Sequence, residues 1–425
     1  MAELYSPILY PRSTLLGMSK CDLDNGRVFV VGGGIGGLAT ALGLTKSGCS
    51  VTVVEQAGEF GEIGAGLQIG PNATRILDSW GLLDKVETIG VLPNNIVMRD
   101  AISGEEVARL PLGEAFRERY GAPYVVIHRT DLHAILLQAC REAGVDLVTD
   151  VRIDRVEVGD AGTSAVASDG RTFDADVTVG ADGLHSVLRR TIVGDEPVPS
   201  GYVAYRGTVP IENVPEHDRK LDDVIVWVGP GWHLVQYRLR AGKVLNQVAV
   251  FESPGFLRGD AEFGGVDEFR AVFAECHPQV RSALEAVGTD KHWPLYDRRP
   301  ADFWGENRLV LTGDAAHPML QYLAQGCCQA LEDAKTLEIL VDDADTTVQW
   351  PTVLEQFTES RIPRTAEVQT KARMFGDICH ARGINRVLRN ELLSHVNGTD
   401  LYDYADWIYG GPVLDLLKSR SHTGV

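Results

Sequence analysis

The chain has 425 residues, enough for two or three structural units at roughly 150 residues each. Forty Lys and Arg against 59 Asp and Glu leave a net charge of −19, which repels phosphate backbones and anionic bilayers, so no nucleic acid partner and no membrane association are expected. With 44% hydrophobic and 23% charged residues the composition is that of a folded globular protein and excludes a disordered one. Glycine is in excess, 45 where average usage gives about 30, so many backbone segments must turn tightly or approach something closely.

No apolar run reaches the roughly 18 residues of a membrane span, and the first 26 residues lack the basic start and apolar core of a signal peptide. A cytoplasmic protein is expected. The seven cysteines form no CxxC pair and are odd in number, which reads as reduced thiols. Residues 1–26 read as an N-terminal extension, the first 17 of them loose.

The first core-like segment, 27–31, is a short apolar strand; 32–48 carries helical spacing and 50–55 is a second strand, together a βαβ unit. Further strands are expected at 123–127, 146–153, 164–168 and 175–180, with a helix at 130–143. Between about 200 and 300 the texture changes to neighbouring strands at 201–210, 223–228, 232–239 and 244–252. A buried strand returns at 308–312, a helix starts near Gly326, and 352–396 reads as mostly helical. The fold class is therefore α/β: a Rossmann-like domain in two parts, 27–198 and 301–345, an inserted sheet-based substrate domain, 199–300, and a helical C-terminal region, 346–425.

Gly32, Gly34 and Gly37 give the G-x-G-x-x-G spacing where strand meets helix. One glycine makes the turn, the next lets a pyrophosphate reach the backbone, and the third permits close helix–strand packing. The helix N-terminus then offers unpaired N–H groups to phosphate. Glu55 ends the next strand, where a carboxylate can accept from ribose hydroxyls. A merely structural glycine turn would leave Glu55 without a task.

Two more motifs follow buried strands: Asp182-Gly183 and Gly313-Asp314. With the glycine motif, and in this order, they resemble the class A flavoprotein aromatic monooxygenases, the p-hydroxybenzoate and salicylate hydroxylase group, over 27–410. The resemblance implies bound FAD, with Gly32, Gly34 and Gly37 at the pyrophosphate and Glu55 at the adenosine ribose. It places Asp182 near the pyrophosphate, Gly313 and Asp314 at the ribityl chain, Arg129 at the flavin, and the helix start at Gly326 facing the isoalloxazine. It further implies NADH as a transient electron donor, O2 as co-substrate, a C4a-hydroperoxyflavin as the oxygen donor, a small aromatic carboxylate as substrate and a homodimer. Arg129 could instead pair with Asp131, and His317 reads as structural rather than catalytic.

Ring hydroxylation is helped by ionising a phenol whose pKa is about 10, and a neighbouring His of pKa about 6.5 can take that proton. Strand alternation places His233, Val235 and Tyr237 on one face, a base, a packing surface and a hydroxyl in line. A structural His beside a core Tyr is the bland alternative. Gln321 stands where salicylate hydroxylases usually carry Pro, and the narrower resemblance is to the 3-hydroxybenzoate 6-hydroxylase group. That resemblance implies that His233 and Gln321 activate the substrate hydroxyl, that Tyr237 lines the pocket, and that Tyr124 is a further pocket candidate. A decarboxylating salicylate hydroxylase and a flavoprotein reductase without oxygenase activity remain alternatives. The chain departs from the family at Cys327 and Cys328, where Ala-Asn is common; the pair reads as small buried residues rather than a redox site.

Overall fold

Four of the five residues of Arg27–Val31 are buried, as a strand covered on both faces requires. In the computed structural model, which describes residues 25–61, 64–214, 216–219, 221–344 and 348–411, this strand lies inside a six-stranded sheet. The expected loose extension and Cys21 lie outside the described residues. The sheet order is Gly305–Glu306, Leu309–Leu311, Val177–Gly180, Arg27–Val31, Ser50–Val54, Asp146–Val148. All neighbours are parallel except the edge hairpin. The helix Ile35–Lys46 packs between Arg129–Ala143 and Gly326–Asp342 over one core with the sheet. A small antiparallel sheet, Ile153–Val158, Thr163–Ala167 and Thr172–Ala175, covers the strand through Phe29 stacked on Phe173 at 5.0 Å. The α/β, Rossmann-like class expected from the sequence is the one found.

Two expected strands are each divided. The segment 146–153 stops at Val148 because Asp150 takes a left-handed φ of 55° and turns the chain into the small sheet. Likewise 175–180 contributes its start to the small sheet and Val177–Gly180 to the large one. Asp176 marks the junction by accepting the Arg27 N–H at 2.7 Å.

The second sheet has seven strands, in the order Trp293–Asp297, Val198–Pro210, Val244–Glu252, Trp232–Leu239, Val224–Gly229, Asn95–Asp100, Glu106–Pro111. Its pairs are antiparallel apart from Val224–Gly229 with Asn95–Asp100. The last two strands come from well before residue 199, so the sheet is not confined to 199–300. Side-chain alternation gives it two faces. Trp232, Leu234, Tyr205, Ala249 and Phe251 face a core closed by the helices Val266–Val272 and Pro278–Glu285. The opposite face looks toward the first domain.

Three helices finish the described chain: Trp350–Cys379, Gly383–Ser394 and Leu401–Tyr409. The second is pinned to the sheet by fully buried Asp100, which accepts from Arg386 at 2.6 and 2.7 Å, Arg389 at 3.2 Å and Asn390 at 2.8 Å. Among the described residues no helix is long and apolar enough to cross a membrane.

Candidate active site

The glycine motif is built as its spacing demands. Gly32 sits at φ +110°, where a Cβ would stand 2.4 Å from the Ala181 carbonyl. A Cβ on Gly37 would stand 1.9 Å from the Gly32 carbonyl, so this glycine lets the helix close on the strand. Gly32 and Gly34 line the main cavity, and Gly37 lies behind them in the helix–strand contact. Gly34 is the N-cap of Ile35–Lys46 and leaves the first N–H groups without a side-chain cap. The Glu55 carboxylate accepts from the N–H of Gly33 and of Ala57, both at 2.9 Å. Glu55 thus braces the glycine loop, a task the sequence reading did not give it.

The later motifs converge on the same strip. Asp182 Oδ2 accepts from the N–H of Val187 and Leu188, while Oδ1 is buried on the cavity wall with no hydrogen bond. Burial pushes the Asp182 carboxyl above its ordinary value, against the hydrogen bonds that lower it. Asp314 is exposed beside Gly326, the first residue of Gly326–Asp342. The Gln325 side chain turns inward to Asn72 and Gln329, which leaves this helix start open toward the cavity. Arg129 opens the helix Arg129–Ala143 and lines the cavity, and Asp131 is taken by Arg240 at 3.0 Å.

Behind the strip lies a buried ionic network. His317 meets Asp333 at 2.6 Å, Asp333 also accepts from the Gly313 N–H and from Arg361, and Glu332 is shared by Arg361 and Arg364. Burial raises the Glu332 carboxyl, but the Arg364 and Arg361 guanidiniums outweigh it and hold the group at about 2. His317 is structural, as expected. Cys328 is fully buried, which pushes its thiol up to about 12, so it is a packing residue as expected, whereas Cys327 is only half-buried and lines the cavity, contrary to the expectation of a buried pair.

The cavity, about 1030 Å³, runs from this strip to the second sheet. Glycines without Cβ atoms, two open helix N-termini and the unpartnered Asp182 Oδ1 along one wall fit an extended dinucleotide such as FAD.

On the far wall the register explains which side chains meet. Arg206 pairs with Val248, Val248 with Val235, Val235 with Val226, and Val226 with Met98; all five line the cavity as one row across the sheet. Two residues along the strand on either side stand His233 and Tyr237, also on the cavity. The expected face of His233, Val235 and Tyr237 is therefore found. Gly66 is required opposite Tyr237, because a Cβ there would lie 2.5 Å from the ring. Tyr124 lines the same cavity and donates to Gln68 Oε1 at 2.9 Å.

His233 is buried, and desolvation pushes its imidazole down to about 4, so it is a weaker base than an ordinary histidine. Its Nδ1 lies 2.8 Å from Nε2 of His380. Gln321 lines the cavity with its Oε1 accepting from Arg206 Nη2 at 2.8 Å. Arg206 stands over the Trp293 ring, and among the described residues no carboxylate pairs with it. Burial, then the nearby Arg129, lowers its pKa.

Arg206 and His380 are the residues that sequence reasoning missed. Arg206 falls on the cavity face by alternation, but only the register with Val248 and Val235 reveals it. His380 reaches His233 across 147 residues of chain, and no local signal marks it.

The FAD binding domain family matches residues 25–228. The 3-hydroxybenzoate 6-hydroxylase of Polaromonas naphthalenivorans (strain CJ2) is 41% identical over 393 residues, 92% of this chain and 97% of that protein. The 3-hydroxybenzoate 6-hydroxylase of Klebsiella oxytoca is 38% identical over 395 residues, 93% and 99% of the two chains. Among solved structures, Klebsiella pneumoniae HpxO complexed with FAD and uric acid superposes with a TM-score of 0.80 at 27% identity, covering 91% of this chain and 97% of that one.

Proposed function

The chain belongs to the FAD-dependent aromatic monooxygenases, and from that premise we propose that it hydroxylates 3-hydroxybenzoate para to its hydroxyl, giving 2,5-dihydroxybenzoate with NADH and O2 consumed. The observation that carries the reading is one cavity wall holding His233, Gln321, Tyr237 and the carboxylate-free Arg206 opposite the flavin strip. The two relatives' names point to the same substrate.

When bound, FAD supplies the acceptance of hydride and the activation of O2 that side chains cannot provide. The chain's own residues do the rest. Arg206 offers a guanidinium to the substrate carboxylate, a partner that no described residue furnishes. Val235, Val226, Val248 and Met98 pack the ring and exclude water. His233 and Gln321 flank the ring hydroxyl and favour its ionised form, which enriches the carbon para to it. Asp314, Asp182, Glu55, Arg129 and the glycine strip hold the cofactor.

The test is product identification by chromatography across a panel of hydroxybenzoates with the holoenzyme and NADH. The expected result is 2,5-dihydroxybenzoate from 3-hydroxybenzoate, with NADH and O2 used one for one. Catechol and CO2 from salicylate as the main products would replace this assignment with a decarboxylating one. NADH oxidation without any hydroxylated product would make the chain a reductase.

A further inference from the structure

Two contacts behind the cavity wall determine what His233 and Gln321 present to a ligand. The Arg206 guanidinium has only donors, so the Gln321 oxygen must face it at 2.8 Å and the amide cannot be reversed. The Gln321 NH2 is then directed away from Arg206, and no described residue accepts from it. Gln321 is therefore fixed as a donor toward the cavity.

The same accounting applies to the histidine pair. One proton lies between His233 Nδ1 and His380 Nε2 when both rings are neutral. If His233 donated it, His380 would keep its own proton on Nδ1, which is buried with no acceptor. If His380 donates it, Nδ1 is a bare lone pair. Arg382 and Arg389 are the cations acting on this ring, and they favour a lone pair over an N–H. The other faces of the pair are neutral: Tyr202 stacks on His380 at 4.7 Å, Tyr322 meets it edge-on at 5.3 Å, and Cys379 precedes it. Of the carboxylates around the pair, Glu252 is engaged by Arg382 at 2.6 Å and Asp100 by Arg389 at 3.2 Å, while Asp377, one turn before His380, acts on Tyr202 and Tyr322. Among the described residues no carboxylate bonds either imidazole, and burial lowers both toward the neutral form.

We propose that His380 and Arg206 are positioning residues that set His233 Nε2–H and the Gln321 amide as two donors aimed at one oxygen, so that the site takes the ring hydroxyl as its phenolate. The O–H bond breaks by loss of a proton to solvent, and the phenolate oxygen accepts both N–H groups. This deepens the function proposed above and rests on it for the identity of the ligand, though not for the protonation of the histidines.

Two measurements test it. A long-range 1H–15N spectrum of holoenzyme labelled with 15N-histidine, assigned with the His380→Gln variant, is expected to show His233 protonated on Nε2 and bare on Nδ1. Protonation on Nδ1 would overturn the proposal whether or not any benzoate binds. The second is a pH titration, by ultraviolet difference absorbance without NADH, of 3-hydroxybenzoate bound to the holoenzyme. The bound hydroxyl is expected to ionise at a proton concentration at least ten-fold higher than the free one. His380→Met should erase about ten-fold of that preference, and His380→Gln, whose amide N–H can replace the lost donor, should restore it, with flavin content checked in both. An unchanged titration in His380→Met, or His380→Gln as impaired as His380→Met, would reduce His380 to packing. Failure of 3-hydroxybenzoate to bind the wild-type holoenzyme would contradict the proposed substrate and leave the nitrogen assignment readable.

Discussion

His233 and Arg206 occupy neighbouring rows of one sheet face yet do different work, and kinetics should separate them. Arg206 meets a carboxylate present in both ground and transition states and also fixes the Gln321 amide, so Arg206→Met should raise KM for 3-hydroxybenzoate by about 10- to 100-fold, the worth of a charge-assisted hydrogen bond, and lower kcat too, by less than His233→Ala does. His233 acts on the oxygen whose charge drives the transfer, so His233→Ala should lower kcat by about 100-fold or more while FAD stays bound. Steady-state kinetics with flavin content measured on each variant checks both. His233, Val235 and Tyr237 were legible because a strand alternates strictly, and Gly32, Gly34 and Glu55 because a βαβ unit fixes where they fall. Arg206 and His380 were not, because cross-strand register and contacts between distant segments leave no local periodicity. Glu55 was read only in part: its position was clear, but its hold on Gly33 depends on the loop's three-dimensional path.

At the scale of elements, long apolar stretches such as 232–239 and 244–252 were plain in the sequence, whereas Asn95–Asp100 and Glu106–Pro111 passed unassigned. Glu106–Pro111 is the edge strand and Asn95–Asp100 lies next to it, and polar or charged residues interrupt both (Asn95, Arg99 and Asp100; Glu106 and Arg109), which writes a weaker pattern. Asp100 ends one of them and ties Gly383–Ser394, and with it the segment carrying His380, to the substrate sheet. Burial raises the Asp100 carboxyl, but the Arg386 and Asn390 hydrogen bonds and the Ser103 and Ile102 N–H groups outweigh it and hold it well below the ordinary carboxylate range. A carboxyl depressed on folding contributes stability that is complete above its unfolded pKa, about 3.9, and is lost as pH falls below that toward the folded value. Asp100→Ala should therefore cost about 3 kcal/mol at pH 7, since it strands buried Arg389. Urea unfolding of the two proteins should show that gap narrowing below pH 4; a gap independent of pH would assign the effect to lost packing alone.

For the whole molecule, the surplus of glycine noted at the outset resolves into the strip along the cofactor cavity and positions such as Gly37 and Gly66, where a Cβ would collide with the backbone or a ring. The charge of −19 works against every anion the enzyme is proposed to use, and local donors such as Arg129 and Arg206 must overcome it. Raising ionic strength from 0.01 to 0.15 M shortens the Debye length from about 30 to about 8 Å, so kcat/KM for 3-hydroxybenzoate in FAD-saturated enzyme should rise about two-fold or more. A fall would point to a positive approach path that the net charge conceals. The central claim is that an oxygen atom from O2 is placed para to the ring hydroxyl in this cavity. Turnover of 3-hydroxybenzoate with NADH under 18O2, followed by mass spectrometry and assignment of the ring position, tests it directly: the account predicts 2,5-dihydroxybenzoate carrying one 18O atom at the new hydroxyl. Unlabelled product, label at another ring carbon, or hydrogen peroxide as the sole fate of O2 would contradict it.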